Sequence, residues 1–165
     1  MSSITMEYPT MVAINEMAPN FRLKSNTQEF VALEDYRGQT VVLAFYPAAF
    51  TGVCTEELCT FRDNLAQLND ANAVVLGISV DGPHANAAFA SQNDLTFPLL
   101  SDINRTTTNA YGTTFPNFAG IEGYTVSNRA VFIVDGEGRI RYTWIGEHPG
   151  KQPNYDEVNS FVATL

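Results

Sequence analysis

The chain carries a proline, a threonine and a cysteine in the spacing Pro-x3-Thr-x2-Cys, as Pro47, Thr51 and Cys54. An apolar segment typical of a strand ends just before them, and a helical pattern follows. A cysteine in the first turn of a helix lies near unpaired backbone N–H groups and the positive end of the helix dipole, which favour a thiolate. Such a position lowers the pKa of a cysteine from about 8.5 to roughly 3.5–7.5. The spacing therefore predicts a hydroxyl and a nucleophilic thiol on one helical turn.

Each of these residues also has an ordinary structural explanation when taken alone. Pro47 can simply start a loop, Thr51 can cap the helix, and a free cysteine is commonly a small buried apolar side chain. Their joint occurrence at a junction of strand and helix favours chemistry, because open α/β sheets place their sites at the carboxyl ends of strands.

The two cysteines, Cys54 and Cys59, are too few for a disulfide-stapled secreted domain and lie close together in the sequence. This indicates reactive thiols in a reducing compartment. His84 and His148 stand alone and far from the thiols, whereas a structural zinc site takes about four ligands in paired spacing. We therefore expect no metal.

With 165 residues, 45% of them hydrophobic, the chain has the size of one globular domain spanning residues 1–165. No apolar run approaches the roughly 18–20 residues of a membrane span, and the N-terminus lacks the pattern of a signal peptide. The formal charge of −9 repels nucleic acids and anionic lipids. We expect a soluble cytoplasmic protein that binds neither nucleic acid nor membrane.

The first half of the chain predicts a hairpin followed by a βαβ unit. Residues 21–24 and 28–31 alternate apolar and polar side chains around a turn, which indicates a small hairpin. Residues 40–46 and 73–80 are nearly continuous apolar runs, typical of strands buried on both faces. Between them, apolar residues recur at helical spacing: Leu58, Phe61, Leu65 and Leu68. The two strands should therefore be parallel and joined by a right-handed crossover.

The second half predicts two helices, a second hairpin and a final helix. Residues 83–93 and 106–111 have helical patterns. Residues 129–135 and 139–145 are apolar strands joined by a glycine-rich turn, so they should be antiparallel. The last helix, about residues 155–165, should bury Val158, Phe161, Val162 and Leu165. This order of elements predicts an α/β, thioredoxin-like fold with a mixed central sheet, helices on both faces and an N-terminal hairpin.

Pro47, Thr51 and Cys54 resemble the active-site signature of the peroxiredoxins, Pro-x3-Thr/Ser-x2-Cys. Residues 97–102 and 128–135 match two further segments of that family, the second of which bears its active-site arginine. The likeness covers nearly the whole chain. It implies a thiol peroxidase with the fold expected from the pattern of elements.

The resemblance assigns a role to each candidate residue. Cys54 would be the peroxidatic cysteine, which attacks hydrogen peroxide or an alkyl hydroperoxide and becomes a sulfenic acid. Arg129 would keep the thiolate ionised and stabilise charge developing on the peroxide oxygens, while Thr51 and the first-turn N–H groups would supply hydrogen-bond donors. Pro47 would shield the thiolate from water. Glu57 matches a glutamate that hydrogen-bonds this arginine; its alternative is an ordinary exposed helix carboxylate.

The role of Cys59 depends on which branch of the family the chain follows. On an intact helix, Cα atoms five residues apart are separated by about 8.6 Å, whereas a disulfide tolerates about 7 Å at most. A Cys54–Cys59 disulfide therefore requires the first helical turns to unwind.

The five-residue offset resembles the bacterioferritin-comigratory, or Q-type, branch, in which the second cysteine resolves the sulfenic acid. Residues 49–54 look more like the alkyl-hydroperoxide-reductase-E branch, in which many members use one cysteine and an external thiol. We expect Cys59 to resolve; its alternative is a buried spectator.

The resemblance also implies the partners. The reductant would be thioredoxin, a glutaredoxin-like protein or a low-molecular-weight thiol, with no nucleotide, flavin or metal cofactor. Members of these branches occur as monomers or dimers, so a homodimer is open. Residues 113–125, which hold aromatic side chains among Gly and Pro, form either a loop lining the pocket, a self-association surface or a loop folded over the core.

Two other classes of protein share the predicted fold. A dithiol electron carrier would normally show Cys-x-x-Cys, whereas this chain has Cys-x4-Cys. A non-catalytic binding module or redox-regulated chaperone is the other alternative, because a fold does not fix a function. Peroxide consumption that depends on Cys54 separates the peroxidase from both.

Overall fold

A computed structural model describes residues 12–165, apart from the side chain of Cys54. The expectation that the N-terminus carries no signal peptide falls on residues 1–11, which lie outside this range. Nine strands are present in the described part, in chain order: β1 (Arg22–Ser25), β2 (Phe30–Ala32), β3 (Thr40–Phe45), β4 (Ala73–Ser79), β5 (Leu99–Ser101), β6 (Thr114–Phe115), β7 (Val126–Ser127), β8 (Ala130–Val134) and β9 (Ile140–Ile145).

Five α-helices connect or follow these strands within residues 12–165. They are α1 (Gly52–Asp63), α2 (Leu65–Asp70), α3 (Pro83–Gln92), α4 (Thr106–Ala110) and α5 (Tyr155–Val162). Two short 3-10 turns, Leu33–Tyr36 and Phe118–Gly120, complete the regular structure of this range. In the same part of the chain, none of the helices combines the length and the apolar character that crossing a membrane requires.

Seven strands form one mixed sheet in the order β2-β1-β5-β4-β3-β8-β9, and β6 pairs with β7 in a separate ribbon. The predicted βαβ unit is confirmed, because β3 and β4 pair in parallel. Strand β3 is buried at all six positions and pairs with β8 on its other side in the antiparallel direction. The two predicted hairpins are also present, as β1–β2 and β8–β9. The mixed thioredoxin-like sheet is therefore confirmed.

Apolar side chains of β3 alternate between two cores, one on each face of the sheet. Helices α1, α2, α3 and α5 cover the first core, whose buried members include Val42, Ala44, Leu58, Phe61, Leu68, Phe89, Val158 and Val162. The second core lies under the N-terminal segment, the first 3-10 turn and the end of α4, and includes Val41, Leu43, Phe45, Leu33, Tyr111 and Phe132. Burial on both faces fixes the carboxyl end of β3, where the chain enters α1.

Several details of the predicted elements differ from the structure. The helix after β3 is divided at Asn64, whose ψ of 0° is not helical; asparagine competes with a helix by bonding its own backbone. Strand β5 is absent from the predicted elements, since it has only three residues and follows a proline. Arg129 precedes β8 instead of starting it. Helix α5 ends at Val162, so Leu165 is 41% exposed and its predicted burial is wrong.

Candidate active site

The candidate site begins where the chain leaves β3. Pro47 is buried two residues after this strand, and Thr51 is the N-cap of α1, with extended backbone angles. The helix starts at Gly52, so the backbone of Cys54 lies in its first turn, as the spacing predicts. The first N–H groups of a helix have no partner within the helix. Cys54 therefore lies at the positive end of α1, at the carboxyl edge of the sheet.

Arg129 reaches this edge because of the strand pairing. Strand β8 runs antiparallel to β3, with Ala130 opposite Phe45, so the residue before β8 lies beside the end of β3. The Arg129 side chain is 1% exposed. Its backbone N–H donates to Oδ1 of Asn128 at 2.8 Å, and its Nε donates to the carbonyl of Pro149 at 3.0 Å. The guanidinium is therefore buried and held at Nε by Pro149, while Asn128 holds the backbone of the same residue.

Glu57 provides the third attachment of this arginine. Nη1 of Arg129 donates a hydrogen bond to Oε2 of Glu57, and the two side chains form a buried ion pair. Glu57 is fully buried, so it is not an ordinary exposed carboxylate. It lies three residues after Cys54 on α1, which is close to one helical turn. The pair thus links the start of β8 to the first turns of α1.

The ionisation of Glu57 is set by two opposing effects. Burial raises its pKa, and the charge of Arg129 and the hydrogen bond from it lower it; the net result is a rise from 4.5 to about 7. Oε1 of Glu57 is buried and has no hydrogen-bond partner among residues 12–165. A buried carboxylate oxygen without a partner favours the protonated form. The net effect is a raised pKa of Glu57, with burial as its cause.

A pocket of about 180 Å³ opens beside these residues. Its lining consists of Pro47, Thr51, Gly52, Val53, Phe118, Arg129, Pro149 and Gly150. Three of the residues predicted from the sequence, Pro47, Thr51 and Arg129, therefore meet at one cavity. The five other lining residues are apolar or glycine, so a small molecule here would meet one cation and one hydroxyl in otherwise apolar surroundings. Such a site suits a small molecule with a polar group.

The hydroxyl of Thr51 is engaged within the loop. Oγ1 donates to the carbonyl of Ala48 at 2.8 Å, and within the described part of the chain the Thr51 side chain makes no capping bond to the helix. Its oxygen lone pairs can accept a hydrogen bond from a bound molecule. In this arrangement the side chain is placed to accept from such a molecule, in contrast with the expectation that it is one of the donors.

Cys59 lies elsewhere on the same helix. It is half-buried, and its Sγ approaches Oδ1 of Asn93, at the end of α3, at 3.8 Å. It is not among the residues that line the pocket. Since α1 is continuous from Gly52 to Asp63, Cys54 and Cys59 are separated along an intact helix. The structure therefore groups Pro47, Thr51, Arg129 and Glu57, and keeps Cys59 apart from them.

Sequence reasoning missed several lining residues. Phe118 belongs to the segment 113–125, for which lining the pocket was one of three alternatives, and the structure places it there. Pro149 and Gly150 follow β9 and carried no signal, because only the tertiary structure brings that loop to the pocket. Val53 could have been found from its place beside Cys54 in the first turn of the helix.

Comparisons with known proteins agree with this geometry. The model of the AhpC/TSA family matches residues 14–143. The chain is 39% identical over 144 residues to alkyl hydroperoxide reductase E of Mycobacterium tuberculosis, covering 86% of this chain and 90% of that one. It is 36% identical over 129 residues to peroxiredoxin Bcp of Escherichia coli, covering 78% and 83%. The crystal structure of a cysteine-to-serine mutant of PrxQ from Xylella fastidiosa superposes with a TM-score of 0.83 at 26% identity, covering 94% and 98%.

The fold and the site together define a thioredoxin-fold enzyme with a cysteine at a helix N-terminus beside a buried arginine. The chain belongs to the AhpC/TSA family and is a peroxiredoxin, a thiol peroxidase. The resemblance inferred from the active-site signature is thereby confirmed.

Proposed function

We propose that the protein reduces hydrogen peroxide and alkyl hydroperoxides through Cys54. The Cys54 thiolate attacks the terminal peroxide oxygen, so that an S–O bond forms and the O–O bond breaks. The sulfur is oxidised to a sulfenic acid, the peroxide is reduced, and the departing alkoxide or hydroxide takes up a proton. Placement of Cys54 in the first turn of α1 supports the thiolate that this step needs.

The observation that carries this proposal is the buried Arg129 in the wall of the pocket. Glu57 and Pro149 hold its guanidinium in place before any substrate arrives. A preorganised cation in apolar surroundings stabilises negative charge more strongly than it would in water. Arg129 is therefore suited to keep the thiolate ionised and to stabilise charge on the peroxide oxygens. Thr51 would accept the hydrogen of the hydroperoxide, and Pro47 would keep water from the thiolate.

Cys59 would complete the first half of the cycle. Its thiolate attacks the sulfenic sulfur of Cys54, an S–S bond forms, the S–O bond breaks and the oxygen leaves as water. Because α1 is continuous, the first turns of the helix must unwind for this attack. Gly52, the first residue of α1, is exposed and makes that unwinding easier.

Thioredoxin would then reduce the disulfide, with a glutaredoxin-like protein as the alternative dithiol donor. The second candidate is a one-cysteine cycle, in which an external thiol reduces the Cys54 sulfenic acid and Cys59 is a spectator. The contact of Cys59 with Asn93, away from the pocket, favours this candidate. The two cycles differ in what happens to Cys59 after oxidation.

Peroxide consumption by the parent and the Cys54→Ser variant tests the first step. We expect the parent to remove at least one equivalent of hydrogen peroxide and Cys54→Ser to remove none, because serine is not ionised at neutral pH. Cys59→Ser is the matched control, since it deletes a thiol from the same helix and should still remove one equivalent. Consumption that survives in Cys54→Ser would exclude Cys54 as the reacting residue.

Recycling by thioredoxin tests the second step. The Cys59→Ser variant should show a normal first oxidation but impaired steady-state turnover with thioredoxin and its reductase. Its Cys54 should also over-oxidise to sulfinic acid at a lower peroxide concentration. Undiminished thioredoxin-supported turnover in Cys59→Ser would favour the one-cysteine cycle.

A further inference from the structure

One carboxylate ties the loop that carries Pro47 and Thr51 to the neighbouring strand. The backbone N–H of Ala49, in the middle of this loop, donates to Oδ2 of Asp81 at 2.8 Å. Asp81 follows β4, which lies parallel to β3, so the carboxyl ends of both strands lie side by side. The hydrogen bond therefore joins the two ends of the βαβ unit at the edge where the site lies.

A buried hydrogen-bond network holds Asp81 in turn. Ser79 donates from Oγ to the same Oδ2 at 2.9 Å, and the N–H of Asp81 donates back to that Oγ at 3.3 Å. Asn86, which is fully buried on α3, donates to Oγ of Ser79 at 3.4 Å and accepts from the hydroxyl of Tyr46 at 2.7 Å. Such networks fix the orientation of their members. The network therefore holds the loop at its first residue, Tyr46, and at its middle, Ala49.

The backbone of the same loop is in a conformation that needs support. Phe50 has a φ of 65°, in the left-handed region that a bulky side chain rarely adopts. Its ring lies against Phe89 of α3, with the centroids 5.2 Å apart. Strain of this kind persists only where the surroundings enforce it. Ala49 directly precedes Phe50, so its hydrogen bond to Asp81 helps to hold Phe50 in this conformation.

We propose that Asp81 is a positioning residue for the reaction of Cys54 with peroxide. By accepting from Ala49, it holds the loop so that Pro47 and Thr51 face the pocket beside Arg129. The inference rests on the proposed function, because its effect is measured on the oxidation of Cys54. Without the acceptor, the loop relaxes, and small displacements of positioning groups cost large factors in rate.

The test compares Asp81→Ala with the conservative variant Asp81→Asn. The second-order rate of Cys54 oxidation is followed by rapid-quench mass spectrometry with hydrogen peroxide. We expect Asp81→Ala to be about tenfold slower or more. Asp81→Asn retains an oxygen that can accept from Ala49, so its rate should stay within about threefold of the parent. Asp70→Ala, an exposed aspartate in α2, serves as the matched control.

If Asp81→Ala is oxidised at Cys54 as fast as the parent protein, the inference is overturned. It is also overturned if Asp81→Asn is oxidised as slowly as Asp81→Ala, because the loss of a charge or of stability alone predicts that asparagine does not restore the rate. If circular dichroism shows that Asp81→Ala does not fold, Ser79→Ala decides. That variant frees the carboxylate to rotate and should react about three to ten times more slowly, whereas an unchanged rate overturns the inference. A parent inert toward peroxide would instead reject the proposed function, and this inference with it.

Discussion

At the residue scale, the buried pair of Arg129 and Glu57 is the most informative feature of the site. A fully buried ion pair carries a large desolvation penalty, so it is weak evidence for a role in stability. Here the arginine also lines a pocket at a helix N-terminus, so its burial has a chemical explanation. Glu57 holds the guanidinium by accepting a hydrogen bond from Nη1, while burial opposes ionisation of the Glu57 carboxyl.

The pKa of Glu57 predicts a pH dependence of stability. Because the folded-state pKa is raised to about 7 from 4.5, the native state binds more protons than the unfolded state between these values. The stabilisation is therefore complete below about pH 4.5 and is lost as pH rises through 7. Its size is on the order of 3 kcal/mol at most. Glu57→Gln cannot titrate but keeps an oxygen for Arg129, so its free energy of unfolding should fall less over this range.

Urea denaturation of the parent and Glu57→Gln at several pH values between about 4.5 and 7.5 measures this difference. Glu147→Gln, which changes an exposed glutamate, is the control and should follow the parent. If the free energy of unfolding changes with pH in the same way for the parent and Glu57→Gln, the raised pKa of Glu57 is contradicted.

The candidate site can be predicted from the sequence only where a local signal exists. Pro47, Thr51 and Cys54 form a short motif at a predicted junction, and Arg129 and Glu57 come from the resemblance to the peroxiredoxins. Other lining residues enter the pocket from loops whose placement depends on tertiary packing, namely Phe118 and Pro149. Asp81 had a usable signal, a carboxylate just after a buried parallel strand beside the site.

At the scale of elements, the proposed two-cysteine cycle would place two conflicting requirements on α1. Its first turn must be intact to provide the N–H groups that favour a thiolate, yet the proposed attack by Cys59 would require that turn to open. Among the described residues, Thr51 provides no side-chain cap to α1, and Gly52 begins the helix, so the N-terminus of α1 is weakly stabilised. The remainder of the helix is anchored in the core by Leu58 and Phe61.

Gly52→Ala should slow closure of the Cys54–Cys59 disulfide. A Cβ at this position would meet no atom within 4 Å, so the residue fits without strain. Alanine favours a helix over glycine by about 0.5–1 kcal/mol, which corresponds to closure about two to five times slower. Gly82→Ala, where a Cβ also meets open space before α3, is the matched control. Closure can be followed by rapid-quench mass spectrometry as the loss of water from the sulfenic acid; an equal or faster rate in Gly52→Ala would count against unwinding of the first turn.

The elements themselves are predictable where periodicity is long. Strands β3 and β4 and helix α3 are extended patterns with clear ends, and the structure confirms them. Strand β5 has three residues, too few to show alternation, and exists because it pairs with β4 and β1. The division at Asn64 escapes detection since Leu65 and Leu68 continue the spacing of α1 across the break.

At the scale of the whole molecule, the sheet sets the geometry of the site. The antiparallel pairing of β8 with β3 brings Arg129 beside the residues that follow β3. That residues 1–165 form one domain stays a prediction, supported by a sheet that draws strands from both halves of the chain. The cytoplasmic location and the homodimer stay predictions as well.

Phe132→Ala should destabilise the whole fold. Phe132 is fully buried in β8 and packs edge-on against Phe45 and Tyr111, with centroids 5.5 and 5.1 Å away. Truncation of a buried phenylalanine costs about 3–5 kcal/mol. Phe30→Ala, at a side chain 54% exposed, is the control and should cost much less. Chemical denaturation measures the free energy of unfolding of both variants. If Phe132→Ala loses no more of it than Phe30→Ala, the second core contributes little to stability.

The most direct test of the central claim is the intact mass of the fully reduced protein before and after one equivalent of hydrogen peroxide, beside the Cys59→Ser variant. A two-cysteine peroxidase predicts the loss of two hydrogens in the parent and the gain of one oxygen in Cys59→Ser. Gain of one oxygen in both proteins would mean that Cys59 does not capture the sulfenic acid. No change of mass in either protein would contradict the claim that Cys54 reduces peroxide.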